Sequence, residues 1–514
     1  MQTTMQSHGT VTTQENGDPA SQFAFSKEHL KRRTATASAL TFAGRGASIV
    51  IQTATSLILA RVLVPGDFGL VGMVTPFIAV FTIFGNLGFT SGVLQRKDLT
   101  AGQLSALFYT NLGLTLVLTA AFPAAAPFIA RLYDTPQAQP IAIVLSLVLL
   151  SSGLSSLQMS LAQRALRFDV LLMAELVSQT GSSLLSLWMA LNGFGFMALA
   201  WRFPAQSLIY AVVLWLRSDW RPGRPDWSDG TRSLMRYGSH TLGFNLLNIT
   251  GRQGDNVLIG WRYGHVELGP YALAYRLFLM PVQMLTAPLQ QVMVPALARL
   301  RDEPQRFAHW YLSVLRVIVF LSLPPLIALT LSVDEVVHLV LGPKWEAAIP
   351  ILRWLLPVGA LHVSYVTISW LMMAMGRADR QFRWAVIVIP IHLVAFVVGL
   401  PWRAEGVAIA YAVINWALYL PGFLYAIRGT PVRIRPVLSA LIPGFATCGA
   451  AVAVVLLLYS VAPHMAGSTR LLATISITAA VMVAGACIAF GVEGMMGQAR
   501  DLVRQYRFPL SEKA

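Results

Sequence analysis

Cysteine is nearly absent from this chain. Only Cys448 and Cys487 occur in 514 residues. Both sit in late apolar stretches, which excludes a disulfide framework and a cysteine-based metal site and leaves them as small buried fillers. Charge is scarce as well: 12% of the residues are Asp, Glu, Lys or Arg, against about 25% in an ordinary soluble domain. No G-x-x-x-x-G-K-[ST] loop exists to cradle a nucleotide, and no G-x-S-x-G elbow to raise a nucleophile. The nine histidines are scattered. No enzyme activity, cofactor or metal is therefore expected. Residues 1 to about 25 hold no basic lead into a short apolar run, so a cleaved signal peptide is not expected.

What the chain has instead is apolar length. About 20 apolar residues cross a bilayer, and about fourteen stretches are long enough: 38–60, 68–94, 104–130, 138–162, 170–191, 194–216, 237–261, 269–297, 311–331, 347–375, 384–400, 406–427, 437–461 and 471–490. Of the 38 Lys and Arg residues, 26 fall in alternate gaps and at the termini, 6 in the opposite gaps and 6 inside spans. Cytoplasmic loops keep their cations. The bias predicts a multi-pass inner-membrane protein with both termini in the cytoplasm. The net charge of +15 lies in short loops beside lipid, which makes membrane lipids its partner and argues against nucleic acid.

The expected organisation is all-α. A disordered cytoplasmic tail covers 1–34, a six-helix bundle 35–216, and a cytoplasmic linker 217–236 rich in Arg, Asp and Pro. A second six-helix bundle covers 237–427, two additional transmembrane helices 428–491, and a cytoplasmic tail 492–514. An acidic, amphipathic external loop with Asp334, Glu335, Lys344 and Glu346 separates spans nine and ten. A weak repeat recurs at an offset of about 200 residues: Arg61 to Gly69 and Arg262 to Gly269 each lead from Arg to an acid, an apolar residue and a Gly that opens the next helix. Six spans per half make the two copies parallel, and such repeats place a substrate path between bundles near the midplane.

The same connectors carry a family likeness. Ala60-Arg61-x-Leu63-x-Pro65-x-Asp67-Phe68-Gly69, Asn86-Leu87-Gly88-Phe89 before Gln95-Arg96, Leu107 to Asn111, Leu268 to Tyr275 with Pro281 and Pro295, and Gly342-Pro343-Lys344-Trp345 resemble the polysaccharide-exporter branch of the multidrug/oligosaccharidyl-lipid/polysaccharide flippase superfamily. The likeness spans roughly residues 35 to 430. It implies two six-helix bundles with a pseudo-twofold repeat around a central cavity. It also implies flipping of polyprenyl-pyrophosphate-linked oligosaccharide, on an undecaprenyl carrier, for exopolysaccharide, capsule or O-antigen assembly, with a polysaccharide polymerase and export machinery as further partners.

Charge inside a span is costly and marks a candidate site. Arg202, Arg252, Asp255 and Arg276 all fall in the outer half of the membrane, and Asn245 and Asn248 continue the polar face of the helix that carries Arg252. Arginine forks bind phosphate oxygens at two points and keep their charge, so these six residues form the expected substrate cavity. Asp255 reads as a counter-ion for Arg252, three residues away on one helical face, or as a proton carrier. Glu175 and Arg45 are candidates for a gate or for coupling, with structural pairing of Glu175 and headgroup snorkelling of Arg45 as the plainer alternatives. Arg316 and Arg353 snorkel or pair structurally in the same way. Two rivals follow from span count and superfamily. The excess of intramembrane arginine over acid argues against an antiporter for cationic drugs, and the longest external gap, about 332–346, is too short for the catalytic loop of a polymerase or ligase.

Overall fold

The computed structural model describes residues 27–85, 99–227, 229–465 and 467–490. Every apolar stretch of the sequence is helical there, because a helix is the one single segment that satisfies all its backbone groups in lipid. The first half comprises α1 (Lys27–Val62), α2 (Pro65–Gly85), α3 (Ala101–Leu132), α4 (Ala138–Arg164), α5 (Phe168–Leu191) and α6 (Phe196–Arg217). The second begins with one helical run, Asp229–Arg299, broken at Gly264 into α7 (229–263) and α8 (265–299). It continues with α9 (Pro304–Leu331), α10 (Ala348–Ala374), α11 (Ala378–Gly399) and α12 (Arg403–Ile427); α13 (Ile434–Val461) and α14 (Gly467–Phe490) follow. Ten helices among the described residues are long and apolar enough to cross a membrane, and the chain is a multi-pass membrane protein.

The ends of these helices follow local chemistry. Thr100 and Gln103 close a capping box on α3: the Thr100 hydroxyl accepts from the Gln103 amide at 3.2 Å, and the Gln103 side chain accepts from the Thr100 amide at 3.2 Å. The turn between α5 and α6 passes through Gly193 and Gly195, both with positive φ. Two helices begin earlier than the charge pattern suggests. α1 starts at Lys27, within the stretch read as tail, and α7 starts at Asp229, so the linker is non-helical only between Arg217 and Asp229. An acid at the first position of α7 suits the positive end of a helix.

The linker belongs structurally to the first half. Gly223 donates its amide to the Ser105 hydroxyl at 2.9 Å, the Trp215 indole donates to the Leu154 carbonyl at 2.9 Å, and the Asp226 amide donates to the Gly102 carbonyl at 2.9 Å. Arg167 and Asp219 pair at 3.4 Å. In the second half α7 lies against α11 through Gly251 on Ile389 and Gly254 on Leu393, while Gly359 of α10 admits Phe278 of α8. α13 seats Gly444 on Val319 of α9, and α14 packs beside α13.

The two halves meet at the end opposite the linker. There the α1–α2 and α7–α8 connectors cross at their glycines. A Cβ on Gly69 would stand 1.8 Å from the His265 carbonyl oxygen, and one on Gly269 would stand 1.9 Å from the Pro65 carbonyl oxygen. No other residue fits either place. The repeat visible in sequence is thus a packing contact between its two copies.

A short segment between α9 and α10 caps this end. It runs through a helical turn (Val333–Val336), a π-helical turn (Val337–Leu341) and a 3-10 turn (Pro343–Trp345); we refer to it as the strap. Arg353 of α10 holds both Asp334 oxygens at 2.9 and 2.7 Å, which makes Arg353 a structural pair. Arg470 of α14 pairs with Glu335 at 3.1 Å and lies 3.8 Å over the Tyr459 ring of α13. The strap is therefore fastened to the second half.

Candidate functional site

Arg202 is the most deeply buried arginine of the site, with 4% of its surface exposed. The first turns of α6 carry it among apolar residues toward α1, where its Nη1 donates to the Ser56 hydroxyl at 3.5 Å. Its Nη2 is buried and has no hydrogen-bond partner among the described residues. Arg276, half-buried on α8, lies within electrostatic reach of Arg202. The first half and the second half thus each contribute one cation, and the two are close enough to feel each other's charge. Among the described residues neither arginine is in an ion pair. A buried cation without a counter-charge is expensive, and two side by side repel.

The polar surroundings extend along α5 and α6. Gln206, one turn from Arg202, donates to the Gln179 side-chain oxygen at 2.8 Å. The Gln179 side-chain nitrogen and the Ser183 hydroxyl are buried and unpartnered among the described residues. Unpaired polar atoms of this kind call for water or a polar ligand. Ser56, Gln179, Ser183 and Gln206 are absent from the sequence-based set because Ser and Gln inside a span carry no alarm comparable to a charge.

Asp255 is buried, with 2% exposure. It accepts a hydrogen bond from the Tyr271 hydroxyl at 2.7 Å and from the Asn256 amide at 2.8 Å. Tyr271 reaches it from α8, across the break at Gly264, and stacks on Tyr275 at 6.1 Å between ring centroids. Tyr275 in turn meets Tyr411 edge-on at 5.8 Å. The sequence shows Tyr271 only as part of a motif. Its role follows from a turn that folds α8 back on α7.

Four expected residues stand apart from this geometry. The side chains of Arg252, Asn245, Asn248 and Arg45 lie outside the described residues; their helices, α7 and α1, are described. Glu175 is half-buried on α5, one turn from Leu172, which packs on Gly44 of α1. It sits on the helix that neighbours α1.

An apolar hollow of about 450 Å³ lies between α1, α8, α14 and the strap. Thr53 and Leu57 of α1, Leu277 and Met280 of α8, and Leu471 and Ile475 of α14 form much of its wall, and the strap covers one side. Thr53 donates to the Met280 sulfur at 3.2 Å across the two halves. Thr53 is three residues before Ser56, and Leu277 follows Arg276. The hollow thus shares α8 with Arg276, and α1 with Ser56, the hydrogen-bond partner of Arg202.

Paired six-helix bundles, joined at one end around buried cations, define a membrane transporter fold. The solved lipid II flippase MurJ, in its inward closed conformation, shares it with a TM-score of 0.72 over 90% of this chain and 100% of that one, at 15% identity. By sequence, a family model described as polysaccharide biosynthesis protein matches residues 58–350, and the chain belongs to that family. The teichuronic acid biosynthesis protein TuaB of Bacillus subtilis (strain 168) is 28% identical over 312 residues, which cover 58% of this chain and 62% of that relative. The lipopolysaccharide biosynthesis protein WzxC of Escherichia coli (strain K12) is 25% identical over 390 residues, 74% of this chain and 77% of its own length.

Proposed function

We propose that the protein flips undecaprenyl-pyrophosphate-linked oligosaccharide repeat units across the bacterial inner membrane by alternating access. The observation that carries this reading is Arg202 and Arg276, one from each half, with no carboxylate partner among the described residues, and an apolar hollow that begins at Leu277, next to Arg276 on α8. A ligand that satisfies both is an amphiphile: an anionic head for the guanidinium forks and a long hydrocarbon chain for the hollow. A pyrophosphate joined to a polyprenyl chain is that molecule. The orphaned Gln179 and Ser183 atoms suit the hydroxyl-rich sugar.

The positive bias of the loops places the linker end and both termini in the cytoplasm and the strap end outside. The described conformation is then joined on the outer side. The head would enter from the cytoplasm and exchange its hydration for Arg202 and Arg276. It would leave when the outer ends part, for polymerase and export machinery to extend. The name of the flippase MurJ and the family to which the chain belongs support transport of a lipid-linked sugar over catalysis. A cationic drug would meet two unpaired positive charges, so the antiporter reading is not adopted.

Removing the protein and following lipid-linked intermediates tests the proposal. Complete repeat units stranded on the inner leaflet are expected. Single units already delivered to the outer leaflet would overturn it.

A further inference from the structure

Three side-chain hooks, two on the strap and one on α1, join the strap to the first half, and the transport reading above does not use them. Arg61, in the last turn of α1, donates its Nε to the Val340 carbonyl at 2.7 Å and an Nη2 to the Leu339 carbonyl. In return, Lys344 of the strap donates to the carbonyls of Arg61 at 2.7 Å and Leu63 at 2.6 Å. The Trp345 indole donates to the Ala60 carbonyl at 2.8 Å, and its ring meets Phe68 edge-on at 5.1 Å. Each half thus grips backbone carbonyls of the other.

The acceptors explain how such a grip can be both specific and reversible. Ala60 and Arg61 lie in the last turn of α1 and Leu63 just beyond it, where helix carbonyls lack intrahelical partners and carry partial negative charge. A lysine and an indole from the strap cap them. Arg61 and Lys344 are exposed, so when the grip breaks both the cations and the carbonyls return to water. Burial lowers the Lys344 ammonium from its ordinary value, nearby Asp67 opposes the shift, and Arg61 reinforces it. Only Trp345, fully buried, must leave an apolar seat. The strap's own anchors, Asp334 on Arg353 and Glu335 on Arg470, stay within the second half throughout.

We infer that the strap is a latch: its hooks on the end of α1 hold the two halves closed at this end, and their release uncovers the hollow and the route beyond it. The latch rests on the alternating-access reading, but its opening can be observed without substrate.

Two measurements test it, after Cys448 and Cys487 are replaced by Ala. First, Thr53→Cys, in the hollow under the strap, reports opening to a membrane-impermeant thiol reagent added outside intact cells. Adding Lys344→Gln or Arg61→Gln should speed labelling about ten-fold, the order expected for losing two charge-assisted hydrogen bonds. An unchanged rate in both variants, with normal amounts of protein in the membrane, overturns the latch. Second, Val62→Cys with Leu339→Cys places two exposed thiols on opposite sides of the grip. A short bis-maleimide should stop export, and a monofunctional maleimide should not. Full export by the cross-linked protein also overturns it. If labelling responds as expected while no lipid-linked sugar accumulates in cells lacking the protein, the latch stands and the substrate assignment falls.

Discussion

Gly69 and Gly269 hold each other's connector at backbone contact: a Cβ on the first would meet the His265 carbonyl at 1.8 Å, and one on the second the Pro65 carbonyl at 1.9 Å. The two positions are equivalent in the repeat, so each half donates a bare backbone to the other. Backbone atoms cannot step aside as a flexible side chain can. The closed end therefore tolerates neither an alanine nor a shift of one half along the other.

Gly69→Ala and Gly269→Ala should each lower the melting temperature of the purified protein, with a cost of about 1–3 kcal/mol or more from overpacking. Gly264→Ala offers a contrast. It meets nothing within 4 Å but sits at φ +79° and ψ −175°, so only backbone strain of about 1–3 kcal/mol opposes it. Thermal unfolding in detergent should rank the two connector glycines as the more damaging. Equal effects would mean that φ, and not the close approach, governs this end.

Substitution of the paired arginines should strike transport and spare folding. Arg202→Gln and Arg276→Gln are each expected to lower polymer export by ~10- to 100-fold, the range of a lost hydrogen bond to a charged group. Removing one of two repelling buried cations should leave thermal stability level or improve it. Arg276→Lys keeps the charge but loses the planar fork, so its export should fall between the two. Quantifying surface polymer and membrane protein in the same cells checks this.

Tyr271→Phe removes the hydroxyl that donates to the buried Asp255 carboxyl. A buried acceptor left unpaired costs about 1–3 kcal/mol. The melting temperature should drop accordingly, and the loss should not add to that of Asp255→Asn, because both variants disrupt one bond. A fully additive double variant would show that the two residues act separately.

Filling the hollow gives an independent test of the amphiphile. Leu471→Trp or Ile475→Trp would occupy part of the 450 Å³ space without placing charge in it. Export should fall while the protein remains folded and inserted, since α14 borders the hollow from outside the paired bundles. A deeper loss for long-chain than for short-chain lipid-linked sugars, measured in vesicles, would assign the space to the hydrocarbon.

The sequence alone determined the helices and their number, because apolar runs and alternating clusters of Lys and Arg report the cost of lipid contact residue by residue. It also marked Arg202 and Arg276, since a charge inside an apolar run stands out whatever its partners. The tertiary structure decided everything that depends on who meets whom. Asp255 is held by Tyr271 sixteen residues on, because the chain turns back at Gly264; its expected partner Arg252 has its side chain outside the described residues. Lys344 caps carbonyls more than 280 residues earlier, and an acidic loop becomes a strap. Contacts between distant segments are set by how helices pack, and hydropathy holds no record of that packing.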